Sequence, residues 1–192
     1  EGRLRLRIPA LRVKLEPRAS GGGGHREVWD MGYHTRAITT RDTKASHEFY
    51  TGPMGFELVK VQVGPAGERG FAKHLFYDTG DGQMFAIWDF HDPDLAPDFP
   101  TAISTGLGLP VWANHIAFFA KDLADIAKRR ERWLAHGVDV MEIDHGWCTS
   151  IYTKDPNGIL VEFCTSTREL NQADREEALQ RLADPNPERD ED

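Results

Sequence analysis

Residues 151–163 read IYTKDPNGILVEF, and residues 76–88 read FYDTGDGQMFAIW. Each is an apolar run, a short Gly-containing break and a second apolar run. DPNG and GDG are both hairpin signals, because Gly and Asn tolerate the positive φ that tight turns between strands require. Setting Gly82 over Gly158 brings Tyr77 close to Tyr152. Working outward, each hairpin is preceded by the same series. In the first half, the strand YHTRAITT leads to the helix DTKASHEFYTGPMGF and the strand ELVKVQV, then AKHLFYDTG and MFAIWDF. In the second, NHIAFFA leads to the helix LADIAKRRERWLAHGV and the strand VMEID, then SIYTKD and ILVEFCTS. That helix carries apolar residues at helical spacing and meets a stop at Gly137. The chain is thus read as α+β, two βαβββ modules forming one cupped mixed sheet, with helices outside and a cleft inside.

The modules occupy residues 32–90 and 113–168, joined by a linker at 91–112, within a domain at 31–168. Residues 1–30 differ in character: they hold seven Arg/Lys against four Asp/Glu and end near Gly21–Gly24, a flexible linker by composition. Met31 stands just before the first well-patterned strand, so 1–30 reads as an appended extension. Residues 169–192 read as a short helix (about 169–183) and an acidic, Pro-broken tail.

The 192 residues are 40% hydrophobic, enough for a real core, and carry a formal charge of −8. That acidity argues against a nucleic-acid partner. No apolar run approaches the roughly 18 residues of a membrane span, so no membrane partner is expected. Two cysteines without a CxxC pattern fit a reduced, cytoplasmic protein. Three lookalikes fail. DTG at 78–80 has no matching second loop, GGGG is followed by no lysine-bearing helix, and HEFY is not a two-histidine zinc helix.

One histidine, His115, interrupts the apolar run VWANHIAFFAKDL (111–123), and His34 opens the matching strand of the first half. Glu162 lies between Val161 and Phe163 on the last strand. A carboxylate there is costly unless paired, hydrogen-bonded or metal-bound. Each residue alone has an ordinary structural reading, but the repeat lets one cleft use all three. Two imidazoles and one carboxylate suit a divalent transition metal with open positions for substrate and oxygen or water, whereas structural zinc wants four ligands and usually Cys. The equivalent of Glu162 in the first half is Ala86, so only the second half supplies the acid.

On these residues the body, about 32–168, resembles the vicinal oxygen chelate superfamily, which includes glyoxalase I, fosfomycin-resistance proteins, bleomycin-binding proteins and extradiol ring-cleaving dioxygenases. The resemblance implies metal ligation by His34, His115 and Glu162. Ala86 stands where a glyoxalase-type pattern often has a further glutamate, which favours a three-ligand site of the dioxygenase or fosfomycin-resistance type. It also implies that Tyr152 touches a metal-bound catecholate and that His74, on the third strand, exchanges protons. His145, in the loop before Tyr152, is a second acid–base or substrate-contact candidate. Arg36 is expected on the side of His34. Phe85, Trp88, Trp112 and Trp147 are candidate lining for an aromatic-binding cleft.

The resulting expectation is a metal-dependent enzyme, an extradiol-type dioxygenase using Fe(II) on an aromatic vicinal diol and working as a homodimer. Two alternatives stay open. One is a glyoxalase-like lyase or isomerase, or a fosfomycin-resistance-like transferase, with Mn, Ni, Zn or Mg at the same ligands. The other is a bleomycin-type binder without turnover.

Overall fold

The computed structural model describes residues 33–80 and 82–189. The expected extension at 1–30 and the last three residues of the tail lie outside them. The element order is β1 (Thr35–Thr40), α1 (Thr43–Thr51), β2 (Glu57–Ala66), β3 (Gly70–Asp78), β4 (Met84–His91), a 3₁₀ turn (Thr105–Leu107), β5 (His115–Phe119), α2 (Leu123–Ala135), β6 (Met141–Asp144), β7 (Cys148–Lys154), β8 (Leu160–Ser166) and α3 (Gln172–Ala183). Two βαβββ modules follow one another, as the internal repeat predicts. The strands form two four-stranded sheets, ordered β1-β4-β3-β2 and β5-β8-β7-β6, rather than the one continuous sheet expected. In each, the opening strand runs parallel to the last strand and the other pairs are antiparallel.

The helices begin where the sequence offers a carboxylate to free backbone donors. The Asp42 side chain accepts the Ala45 N–H at 2.9 Å, and that of Asp122 accepts the Asp125 N–H at 2.8 Å. Helix α2 stops at His136, and Gly137 then takes φ 70°. Helix α3 begins at 172 rather than 169, because Asn171 and Asp174 form a capping box.

A row of aromatic rings ties the modules together. Tyr50 packs on Phe85 at 4.5 Å between centroids, Phe56 on Phe118 at 4.9 Å, and Trp133 on Phe163 at 5.6 Å. Phe85 and Phe118, from different modules, lie 5.5 Å apart. One core therefore serves both modules. Strand periodicity then decides what lies opposite. Phe85 and Ile87 on β4, and Val161 and Phe163 on β8, enter the core. Their neighbours Ala86 and Trp88, and Glu162 and Cys164, must occupy the other face of each sheet. Phe85 is thus a core residue, not part of a cleft lining.

A buried polar latch accompanies the aromatic row. The Tyr50 hydroxyl on α1 donates to Asp155 Oδ2 at 2.8 Å, in the turn between β7 and β8. Asn157 Nδ2 donates to the same oxygen at 2.9 Å and to Ser46 Oγ at 3.1 Å, while Oδ1 accepts the N–H groups of Asn157 and Ile159. The DPNG turn is therefore an intermodule clasp as well as a hairpin. Burial still raises the Asp155 pKa above the usual carboxylate range, against the lowering effect of these hydrogen bonds.

Asp155→Ala strands several buried donors and is expected to destabilise the fold by about 3 kcal/mol or more in urea unfolding. A loss within about 0.5 kcal/mol, the range of an ordinary surface change, would remove the clasp from the account. Because the folded chain holds the Asp155 proton more tightly than the unfolded chain, this group's contribution is largest at acid pH. It is lost as pH rises through the folded-state pKa. Asp155→Asn should remove that component of the pH slope, measured as the difference in urea midpoint from the native protein across the carboxylate range.

Candidate functional site

The open face of the second sheet gathers the polar groups. In the β7–β8 register Tyr152 stands opposite Glu162 and Ser150 opposite Cys164, while His115 on β5 stands opposite Leu160. His115 and Glu162 meet: Nε2 lies 3.1 Å from Oε2, with the imidazole 40% exposed and the carboxylate 6%. The other ring nitrogen, Nδ1, lies 3.0 Å from the Trp112 carbonyl and donates to it. In the neutral ring this tautomer leaves a lone pair on Nε2, aimed at a carboxylate oxygen. A lone pair and an anionic oxygen at that distance repel unless a proton or a cation stands between them. On the far side of the carboxylate, Ser150 Oγ donates to Glu162 Oε1 at 2.5 Å. A carbonyl thus orients the imidazole and a hydroxyl orients the acid, the outer support that metal-binding side chains commonly receive.

Tyr152 continues the chain of contacts. Its hydroxyl lies 2.9 Å from His145 Nε2 and against Glu162, and its ring stands edge-on between those of His115 and His145. Burial, with the Glu162 charge adding to it, pushes the phenol pKa up to about 12, so the hydroxyl stays a proton donor at neutral pH. His145 is held over it by a tight turn in which its N–H bonds the Cys148 carbonyl at 2.8 Å, with Gly146 at φ 77°. A cavity of about 740 Å³ opens beside Tyr152, Leu160, Met141 and Phe49. Its mostly apolar lining is of a size that suits a small ligand. It reaches Tyr152 but not the His115–Glu162 pair.

The first module does not repeat this arrangement. Leu160 lies two residues past Gly158, and Met84 two past Gly82; both glycines have φ 79°. The residue opposite Met84 on β1 is Thr35. Thr35, not His34, therefore holds the place of His115. The helix caps agree, since Asp42 and Asp122 each come seven residues after Thr35 and His115. Ala86 holds the place of Glu162. His34 sits one residue before β1, and its Nδ1 pairs with Thr35 Oγ1 at 2.7 Å. Among the described residues, no three His, Cys, Asp or Glu side chains converge to hold one ion. The chain unites His115, Glu162, Tyr152 and His145, and it does not bring His34 to them. The same register separates the two tyrosines. Tyr77 is fully buried in the core, whereas Tyr152 faces the site.

His74 lies flat on Trp88, with 3.7 Å between centroids and 10° between planes, and close to Phe76. Its Nε2 has no hydrogen-bond partner among the described residues, and burial lowers its pKa. It occupies the open face of the first sheet, in line with Ala86. Arg36 turns to the other side of β1 from Thr35 and covers the Tyr33 ring at 4.3 Å. Trp112 and Trp147 are exposed, at 66% and 42%. Ser150 carries no motif in the sequence, and only the spacing of 148, 150 and 152 along one strand face points to it.

These donors partly fit the divalent metal that the fold implies. His115 Nε2 and Glu162 Oε2 lie side by side as two such donors, and no third His, Cys, Asp or Glu joins them among the described residues.

Comparisons with known proteins bear on the whole. The family model described as the Glyoxalase/Bleomycin resistance protein/Dioxygenase superfamily matches residues 32–163. A glyoxylase/bleomycin resistance protein/dioxygenase domain from Frankia sp. EAN1pec is similar in structure at a TM-score of 0.51 and 16% identity, over 70% of this chain and 97% of that one. A glyoxalase/dioxygenase from Nostoc punctiforme gives 0.51 at 18% identity, over 78% and 100%. At such identities the likeness shows the fold. No curated protein matches the chain in sequence. With the family match spanning both modules, the chain belongs to the glyoxalase/bleomycin resistance/dioxygenase superfamily.

Proposed function

We propose that this chain is a metal-dependent enzyme of its superfamily, acting as an extradiol-type ring-cleaving dioxygenase on a catechol-like aromatic. The observation that carries the reading is the His115 lone pair facing the Glu162 carboxylate at 3.1 Å, with each group held from behind. In this reading the two residues hold Fe(II). When bound, such an ion supplies Lewis acidity toward both oxygens of a vicinal diol and a place for dioxygen.

The chain's own groups do the rest. Tyr152, kept protonated by burial and by the neighbouring acid, offers its hydroxyl proton to a substrate oxygen. His145, 2.9 Å behind it, orients the phenol and can resupply the proton. His74, a histidine whose neutral form burial favours, is the proton acceptor contributed by the first module. The third protein ligand is His34. Within one chain it does not converge with the pair, and only its Nδ1 is engaged among the described residues. That supports completion of the site by a second copy, in a cytoplasmic homodimer. The substrate is a small aromatic with two adjacent oxygens, and no nucleic acid or membrane takes part.

The runner-up, lyase or transferase chemistry with Mn, Ni or Zn, would use the same pair. The absence of an acid at position 86 weighs against the glyoxalase-type lyase and leaves the transferase open.

Anaerobic reconstitution with Fe(II), followed by oxygen uptake on a catechol panel, should give turnover and a yellow ring-cleavage product. Activity on methylglyoxal–thiol adducts instead would move the assignment to the lyase. Tyr152→Phe is expected to lower kcat about 100-fold or more while iron content is retained. His115→Ala should lose the iron. Mixing inactive His34→Ala and Glu162→Ala chains should restore about a quarter of native activity, as for random assortment into two-fold dimers with shared sites. No recovery, with mixed dimers shown to form, would refute a site shared between copies.

A further inference from the structure

A second cavity, of about 550 Å³, is lined by the end of β4, by the linker stretch at 92–99 and by Arg41, just after β1. Its lining among the described residues lies in the first module and the linker, whereas His115, Glu162, Tyr152 and His145 all belong to the second module. Asp89 and His91 share the strand face of Phe85 and Ile87, so they stand on the opposite side of the sheet from Ala86 and His74. The cavity is large enough for a small ligand, and the proposed reaction makes no use of it.

Its charges narrow the ligand. Asp89 is buried and already satisfied: Lys73 Nζ lies 3.2 Å and His91 Nε2 2.9 Å from its Oδ2, and the His91 ring lies flat on Phe71. Arg41 and Asp92 are not satisfied. Among the described residues neither has an ion-pair partner, and they do not pair with each other. Asp92 is nonetheless fixed in place. Its Oδ1 accepts the Asp94 N–H at 2.9 Å, and a side chain at Gly67, in the β2–β3 turn, would collide with its Oδ2. The Arg69–Asp94 ion pair ties the linker to the same turn. The Asp92 carboxylate is therefore positioned without being neutralised. Leu95 and Phe99 add apolar surface to the same lining. A simple anion would meet Arg41 but face the Asp92 charge, and a simple cation would meet Asp92 but face Arg41. A molecule carrying both charges on a compact head, with an apolar body, meets both.

We propose that this cavity binds a free amino acid with a large apolar side chain. Arg41 takes the α-carboxylate, Asp92 takes the α-ammonium, and Leu95 and Phe99 pack against the side chain. No covalent bond is made or broken, and the site is independent of the proposed metal centre.

The test is calorimetric titration of the full-length protein with L-phenylalanine and L-leucine, with the amide NMR shifts of residues 89–99 locating the site. Hydrocinnamate and phenethylamine, which each lack one of the two charges of phenylalanine, serve as comparators. One amino acid should bind per chain, and both comparators should bind about tenfold more weakly or worse, the loss expected for one hydrogen-bonded charge contact. Arg41→Gln should weaken amino-acid binding by a similar factor. So should Asp92→Asn, which keeps the acceptor for the Asp94 N–H and so spares the turn. His115→Ala should leave binding unchanged, which separates this cavity from the proposed iron site. Neither amino acid binding at millimolar concentration would overturn the proposal. Hydrocinnamate binding as tightly as phenylalanine would replace it with a plain anion site, and phenethylamine doing so with a plain cation site.

Discussion

A carboxylate buried on a central strand is the constraint around which the second module is arranged. Glu162 is 4% exposed, between two core residues in sequence, on a strand whose other face fills the hydrophobic core. Taking such a charge out of water costs several kcal/mol unless partners replace the hydration. Ser150 supplies one hydrogen bond and His115 faces the other oxygen. The carbonyl that fixes the His115 tautomer and the histidine that backs Tyr152 extend the same arrangement outward. Each added group removes a degree of freedom from the one before, so the His115–Glu162 pair is held in one geometry by its neighbours.

The shared core explains why this face turns away from it. Both sheets turn aromatic residues inward against each other and against the helices, and strand alternation sends Glu162 and Cys164 the opposite way. The buried Tyr50–Asp155–Asn157 clasp then fixes the β7–β8 turn against α1 of the other module. The hairpin that carries Tyr152 and Glu162 is therefore anchored at one end. The core and the candidate site share that hairpin but use opposite faces of it.

Much of this was legible in the sequence. The paired hairpin signals gave the order of all eight strands, and the caps at Asp42 and Asp122 agree with the helices expected there. His115 and Glu162 were recognisable as two residues too polar for their surroundings. The first module's contribution was harder, because strand faces alternate every residue and a one-residue misalignment reverses them. His34 and His115 look equivalent by type, but pairing to β4 gives that place to Thr35. Ser150 and the Asp155 clasp escaped notice for another reason. Small polar residues in strands and turns carry no composition signal until tertiary contacts show what they bond.

The central claim is that the His115 Nε2 lone pair is available to a cation it shares with Glu162. The direct measurement is the long-range ¹H–¹⁵N NMR spectrum of the histidine rings, recorded without metal at neutral pH and again with Zn²⁺ as a diamagnetic probe. The account predicts a His115 signal whose Nε2 shifts on metal addition in the native protein and does not in Glu162→Gln, while Nδ1 keeps its proton throughout. A doubly protonated His115 that ignores added metal would show a plain ion pair in place of a metal centre.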